Sequence, residues 1–206
     1  MAKRDLIYPE LMQYIHSGIL DFARIPDDRL EILNSFTSYL KSKNGKTINL
    51  IFICTHNSRR SHLSQIWAQV AAAYYGIPEV HTFSGGTEAT AFNERAVAAM
   101  QRAGFSIRGN SRGNPHYEVR YGDSFPSLEA FSKTFDDPFN PQKDFAAIMT
   151  CSHAEEACPL VPGAERRISL HYDDPKDFDG TEQESAKYDE RCEQIARELF
   201  FVMSRV

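Results

Sequence analysis

Ile48-Asn49-Leu50-Ile51-Phe52-Ile53-Cys54-Thr55-His56-Asn57-Ser58-Arg59-Arg60-Ser61 passes from a short apolar run through a cysteine into a polar loop. Residues 48–53 are rich in β-branched side chains and have the length of a buried strand. Beyond the loop, Leu63, Ile66, Trp67, Val70 and Tyr74 recur at helical spacing within residues 61–75. The stretch therefore reads as strand, tight loop, helix. Backbone N–H groups at the start of a helix are unpaired and carry the positive end of its dipole, so such a loop binds anions. A thiol in that field ionises more readily, and the thiolate is the nucleophilic form. Cys54 stands where the loop begins. Arg60 can fold back to grip two oxygens of a tetrahedral anion with its planar fork. Cysteine, five residues, arginine and then serine form a candidate loop for attack on an oxyanion.

Working outward, residues 8–22 and 27–43 read as helices, the second opened by Pro26 and two aspartates and ended by Asn44-Gly45. After the loop helix, residues 79–83 read as a strand, with Ser84-Gly85-Gly86 as a turn. Residues 93–103 read as a helix closed by Gly104, and 105–107 as a short extended piece. Residues 108–143 are punctuated by glycine and proline and form an insertion with one candidate helix near 127–133. It is either a solvated excursion or a substrate-covering loop. Residues 145–150 then read as a buried strand ending at Cys151, residues 167–172 as the last strand, and Glu184–Met203 as the final helix. Strands alternating with helices predict an α/β fold, with a parallel sheet of about four strands and helices on both faces. Ligands in such sheets sit at the carboxyl ends of strands, where Cys54 lies. The expected organisation is an N-terminal helical extension, 1–46, and an α/β domain, 47–206.

The 206 residues suit one domain with an appendage and are long enough for a substantial core. The net charge of −5 and the lack of a dense basic run speak against nucleic acid as a partner. No apolar stretch has membrane-spanning length, and the first residues lack the apolar core of a signal peptide, so a cytoplasmic protein without membrane association is expected. Four cysteines in that setting point to thiols or a transient catalytic disulfide rather than a structural framework. The histidines show no paired metal-ligand spacing, and no metal is expected.

Tyr172-Asp173-Asp174-Pro175 follows the last predicted strand. A carboxylic acid there can protonate the oxygen that leaves when Cys54 attacks an oxyanion. Asp136-Asp137-Pro138 repeats the tripeptide inside the insertion, so position rather than the tripeptide singles out Asp174.

Cys54-Thr55-His56-Asn57-Ser58-Arg59-Arg60-Ser61, with the strand before it and the helix after it, resembles the phosphatase-type anion-binding loop of low-molecular-weight protein tyrosine phosphatases and of the thioredoxin-coupled arsenate reductases built on the same fold. His56 stands where these families commonly have glycine, and Arg59 where they often have a second cysteine. The resemblance begins near Thr47 and leaves the extension unexplained. It implies that Cys54 is the nucleophile, that Thr55, His56, Asn57, Ser58, Arg59 and Ser61 join Arg60 in binding substrate, and that Asp174, placed before a proline, is the general acid.

Cys151-Ser152-His153-Ala154-Glu155-Glu156-Ala157-Cys158 resembles the redox pair of those arsenate reductases. There the first cysteine attacks the nucleophile's arsenic adduct and the second resolves the disulfide. On a continuous helix, seven positions span about 10 Å, whereas a disulfide tolerates a Cα separation of roughly 4.4 to 6.8 Å. If Cys151 and Cys158 pair, their segment must loop or unwind. Taken singly, Cys151 reads as a small buried hydrophobe and Cys158 as a surface thiol; their order after Cys54 favours the relay.

The preferred reading is an arsenate reductase-like enzyme with no bound cofactor and thioredoxin as reductant. One alternative is a phosphatase working through a cysteinyl-phosphate on a phosphate ester, needing only Cys54, Arg60 and Asp174. Another is a module that binds an oxyanion without turnover.

Overall fold

The computed structural model describes residues 3–110 and 113–206. The chain runs through α1 (Pro9–Tyr14), α2 (Asp27–Ser42), β1 (Ile48–Cys54), α3 (Arg60–Tyr75), β2 (Val80–Gly86) and α4 (Glu94–Arg102). It continues through β3 (Ser106–Gly109), β4 (Tyr117–Arg120), β5 (Leu128–Ala130), β6 (Phe145–Met149), α5 (Ser152–Ala157), β7 (Ala164–Ser169) and α6 (Glu184–Met203).

β1 lies inside a four-stranded parallel sheet of order β2-β1-β6-β7. The chain first leaves β1 for β2 on one side and later returns to β6 on the other. The carboxyl end of β1 is thus the point where strand order reverses, where the diverging connections open a crevice. The loop after Cys54 occupies it.

Both faces of the sheet are covered, which is why β1 reads as a continuous apolar run rather than an alternating one. Leu50 and Phe52 point into the larger core with Trp67, Phe200 and the N-terminal helices; Ile51 and Ile53 point into a smaller one with Ala147, Met149, Ala154 and Val161. The first is roofed by α3 and α6, the second by α5 and part of the insertion.

The N-terminal residues share the larger core: Leu11, Ile15, Ile19, Leu33 and Phe36 are fully buried in it, and Tyr14 stacks on Trp67 at 5.9 Å. The helix expected over 8–22 is not uniform. After α1 it widens into a π-helical turn, Ile15–Ile19, and closes with a 3-10 turn, Phe22–Arg24. Arg197 Nε donates to the Gly18 carbonyl at 3.2 Å, and a side chain drawing on the helical ladder accounts for such a bulge.

Three other expectations are corrected. The candidate helix near 127–133 is β5, paired with β4 in an antiparallel sheet of order β3-β4-β5. Burial of Val119 and Ala130 in that sheet outweighs the helical preference of Leu128-Glu129-Ala130. Ser84-Gly85-Gly86 is the end of β2 rather than a turn, because Gly86 exchanges backbone hydrogen bonds with the insertion: its N–H donates to Lys133 O and its carbonyl accepts from Phe135 N, both at 2.9 Å. β7 begins at Ala164, earlier than expected, though Leu170 and Tyr172 still donate to Met149 O and Thr150 O.

Candidate active site

The loop from Cys54 to Arg60 is built with its carbonyls turned outward and held. Cys54 O accepts from Thr87 N at 3.2 Å, Thr55 O from Glu88 N at 2.8 Å, and Ser58 O from Asn93 N at 2.8 Å. His56 O accepts from the hydroxyls of Thr90 and Ser132, each at 3.0 Å. Among the described residues, no backbone carbonyl or side chain accepts from the N–H groups of Thr55 to Arg59. They are the donor set that an oxyanion requires.

Asn57 holds the bend. Its φ of 42° is in the left-handed region, which asparagine tolerates better than most residues. Its Nδ2 donates to Ser61 Oγ at 2.8 Å, and its Oδ1 accepts from Lys133 N at 2.9 Å. Because Ser61 Oγ already accepts from Asn57, its own hydrogen is available to the Cys54 sulfur, 3.1 Å away. His56 keeps φ outside the left-handed region, so this backbone accepts a histidine.

Arg60 opens α3 and turns back over the loop. Nη2 donates to Asp174 Oδ2 at 2.7 Å and Nη1 to Tyr172 O at 3.0 Å, while Nε is buried without a partner. Asp174 is fixed in turn by Lys176 N, which donates to its Oδ1 at 3.1 Å. Arg59 bonds the α6 side: its Nε donates to Tyr188 OH at 2.7 Å and Nη2 to Asp179 at 3.4 Å, while Nε also lies 4.0 Å from Asp174 Oδ1. Asp137, in the duplicate tripeptide, accepts from Phe139 N and makes an ordinary turn.

Thr55, His56, Arg60 and Asp174 line a cavity of about 780 Å³. Its other walls are Arg29 from the extension, Ser152, His153, His171, Tyr172, Asp173, Lys176, Asp177, Arg191 and Gln194. Tyr172 is the only aromatic carbocycle among them.

Cys151 is buried at the end of β6, beside β1, with its sulfur 3.5 Å from Thr55 Oγ1. Cys151 caps the start of α5 and Cys158 its end, and both are free thiols. Burial pushes the Cys158 thiol above its ordinary pKa, opposed by the charge of Arg167. Cys192 lies in the core, where Trp67 Nε1 donates to it at 3.2 Å and burial pushes it up to about 12. Among the described residues, no group of three or more His, Cys, Asp and Glu converges as a metal site, and no helix is long and apolar enough to cross a membrane.

The arsenate reductase of Halalkalibacterium halodurans is 30% identical to this chain over 135 residues, 66% of this chain and 79% of that one. The chain belongs to the arsenate reductase family. The arsenate reductase of Bacillus licheniformis is likewise 30% identical, over 142 residues covering 69% of this chain and 84% of the relative. A solved low-molecular-weight protein tyrosine phosphatase from T. tengcongensis superposes with a TM-score of 0.51 at 13% identity, covering 78% of this chain and 100% of that one, and shares the fold. No family model matches the sequence. The chain is thus an enzyme of the arsenate reductase family, built on a fold that the low-molecular-weight phosphatases share.

What the sequence reading missed in this family member is the layer behind the loop: Thr87, Thr90, Asn93, Ser132 and Lys133. Gly85-Gly86 was its visible signal. A Cβ on Gly86 would lie 2.7 Å from Asn57 N and Thr55 O and nearer still to Glu88 O, so only glycine lets β2 touch the loop. Gly86→Ala is expected to destabilise the fold by about 1 to 3 kcal/mol and to weaken phosphate binding, read by thermal unfolding and by titration calorimetry.

Lys133 is buried under Phe131 and Phe139, 4.2 and 5.0 Å from their ring centres. Burial pulls its pKa from 10.5 down to about 8, and Asp137 and Glu129 offset part of this. Between those values the unfolded chain binds more protons than the folded one, so this residue's contribution to stability rises with pH. Below pH 8 its full cost, about 3 kcal/mol, applies. Lys133→Met is expected to remove that dependence, so wild type gains on the variant as pH rises from 8 to 10.5 in denaturant unfolding.

Proposed function

We propose that this enzyme reduces arsenate to arsenite through a relay of Cys54, Cys151 and Cys158, with thioredoxin as the final reductant in the cytoplasm. The observation that carries the reading is the position of Cys151 beside the anion loop, its sulfur 3.5 Å from Thr55 Oγ1, just past the end of the strand that pairs with β1.

In this reading the N–H groups of Thr55 to Arg59 and the free Nε of Arg60 hold the oxyanion. Cys54 attacks arsenic, with Ser61 stabilising its thiolate, and Asp174 gives a proton to the departing oxygen, which leaves as water. Cys151 then attacks the Cys54 sulfur. The sulfur–arsenic bond breaks with its electron pair on arsenic, releasing arsenite and leaving a Cys54–Cys151 disulfide. Cys158 attacks Cys151, frees Cys54 as a thiol, and leaves a Cys151–Cys158 disulfide for thioredoxin to reduce. Two thiols thus supply the two electrons that arsenic takes up.

Arsenate-dependent NADPH consumption in the presence of thioredoxin and thioredoxin reductase tests this reading. Sustained consumption is expected; none, with hydrolysis of a phosphate ester intact, would select the phosphatase. That second reading is favoured by one observation, a cavity with more room than a tetrahedral oxyanion fills. Its charged walls, with Tyr172 alone among phenyl-type rings, suit an acidic or basic ester better than an aryl phosphate.

A further inference from the structure

The helix that separates Cys151 from Cys158 is short and weakly anchored by apolar contact. Six-residue helices are marginal by themselves, and Ala154 is the only buried residue of α5. Its polar anchor is Glu155. The carboxylate accepts from Ser169 Oγ and lies 3.3 Å from Arg167 Nη1 and 2.5 Å from His171 Nε2. The Glu155 backbone carbonyl also accepts from Arg167 Nη2 at 2.7 Å. Arg167 and Ser169 belong to β7, and His171 follows it. Burial disfavours the Glu155 carboxylate, yet these partners hold it below its ordinary pKa, so the cluster is a net attraction.

With α5 formed, the two cysteines stand at its opposite ends. The helix itself keeps them too far apart to join. We propose that Glu155, with Arg167, Ser169 and His171, is a latch that holds α5 helical in the dithiol form and opens when the Cys151–Cys158 disulfide forms. The residue deepens the relay reading and rests on it. Glu155 is a positioning residue, acting through the cysteines rather than on substrate. Because the latch exists only in the dithiol form, it opposes oxidation, raises the potential of the pair and keeps it reduced until Cys54–Cys151 chemistry drives it on.

The test measures the thiol–disulfide equilibrium of the full chain in a glutathione buffer, in a Cys54→Ser background that prevents a competing bond. Each Cys151–Cys158 disulfide formed converts one glutathione disulfide to two glutathione thiols, so electrons and protons balance. Alkylation and mass measurement give the oxidised fraction. Glu155→Gln is expected to raise the equilibrium constant for disulfide formation about tenfold, a fall of about 30 mV in potential. Arg167→Gln should act in the same direction, and the double variant should gain little over either single one, since the two share one cluster. Ser169→Ala, a milder change, should give a smaller shift of the same sign. An unchanged constant in Glu155→Gln overturns the latch, because a merely structural role weakens both redox forms alike. Fully additive shifts overturn it as well. Failure of the wild-type pair to oxidise at any glutathione ratio overturns the relay itself, and the latch with it.

Discussion

Cys158→Ala is expected to release one arsenite per enzyme molecule and then stop. In the proposed relay, Cys54 and Cys151 alone carry the electrons that convert arsenate to arsenite, and Cys151 is already beside the anion loop. The first turnover therefore needs no third thiol. The second does, because Cys54 is locked in a disulfide until Cys158 displaces it. Cys192 offers no substitute, being fully buried in the core against Trp67 and Met100. Rapid-quench measurement of arsenite should show a stoichiometric burst with a steady state at background. Proteolytic mapping should then find Cys54 bonded to Cys151. An unaltered steady state would remove Cys158 from the relay.

Cys54→Ser is expected to abolish turnover of arsenate and of phosphate esters, at least about 10³-fold in kcat. A serine hydroxyl in this loop has no base beside it: its neighbour at 3.1 Å is Ser61 Oγ, itself engaged by Asn57. The anion site survives the change, since its donors are backbone N–H groups and Arg60. Titration calorimetry should therefore find phosphate binding in the variant within a few-fold of wild type. Loss of binding together with turnover would mean that Cys54 shapes the loop as well as reacting within it.

Legibility in the sequence followed how local each feature is. The strand–loop–helix around Cys54 was readable because a buried strand, a helix start and a cysteine–arginine spacing are each set within a few residues. Asp174 was readable only by position, and the structure separates it from Asp137 by a contact the sequence does not contain, the 2.7 Å bond from Arg60. Arg59, in the loop by sequence, turns its side chain to Tyr188 and Asp179, because α6 brings the phenol and the segment before it brings the carboxylate to that side.

The insertion was misread for the same reason. Leu128-Glu129-Ala130 favours a helix locally, but β4 offers Val119 and Tyr117 as neighbours across a sheet, and burial decides. Its next residues, Ser132 and Lys133, then run behind the loop and hold His56 O and Asn57 Oδ1. Composition and periodicity by themselves determined the order of the main strands and helices along the chain and the place of Cys54 at the end of a buried strand, because these rest on short-range propensity and hydrophobic pattern. Tertiary structure alone decided which carbonyls are tied back, which arginine bonds Asp174 and what pins α5, because each depends on a partner brought from a distant segment by packing.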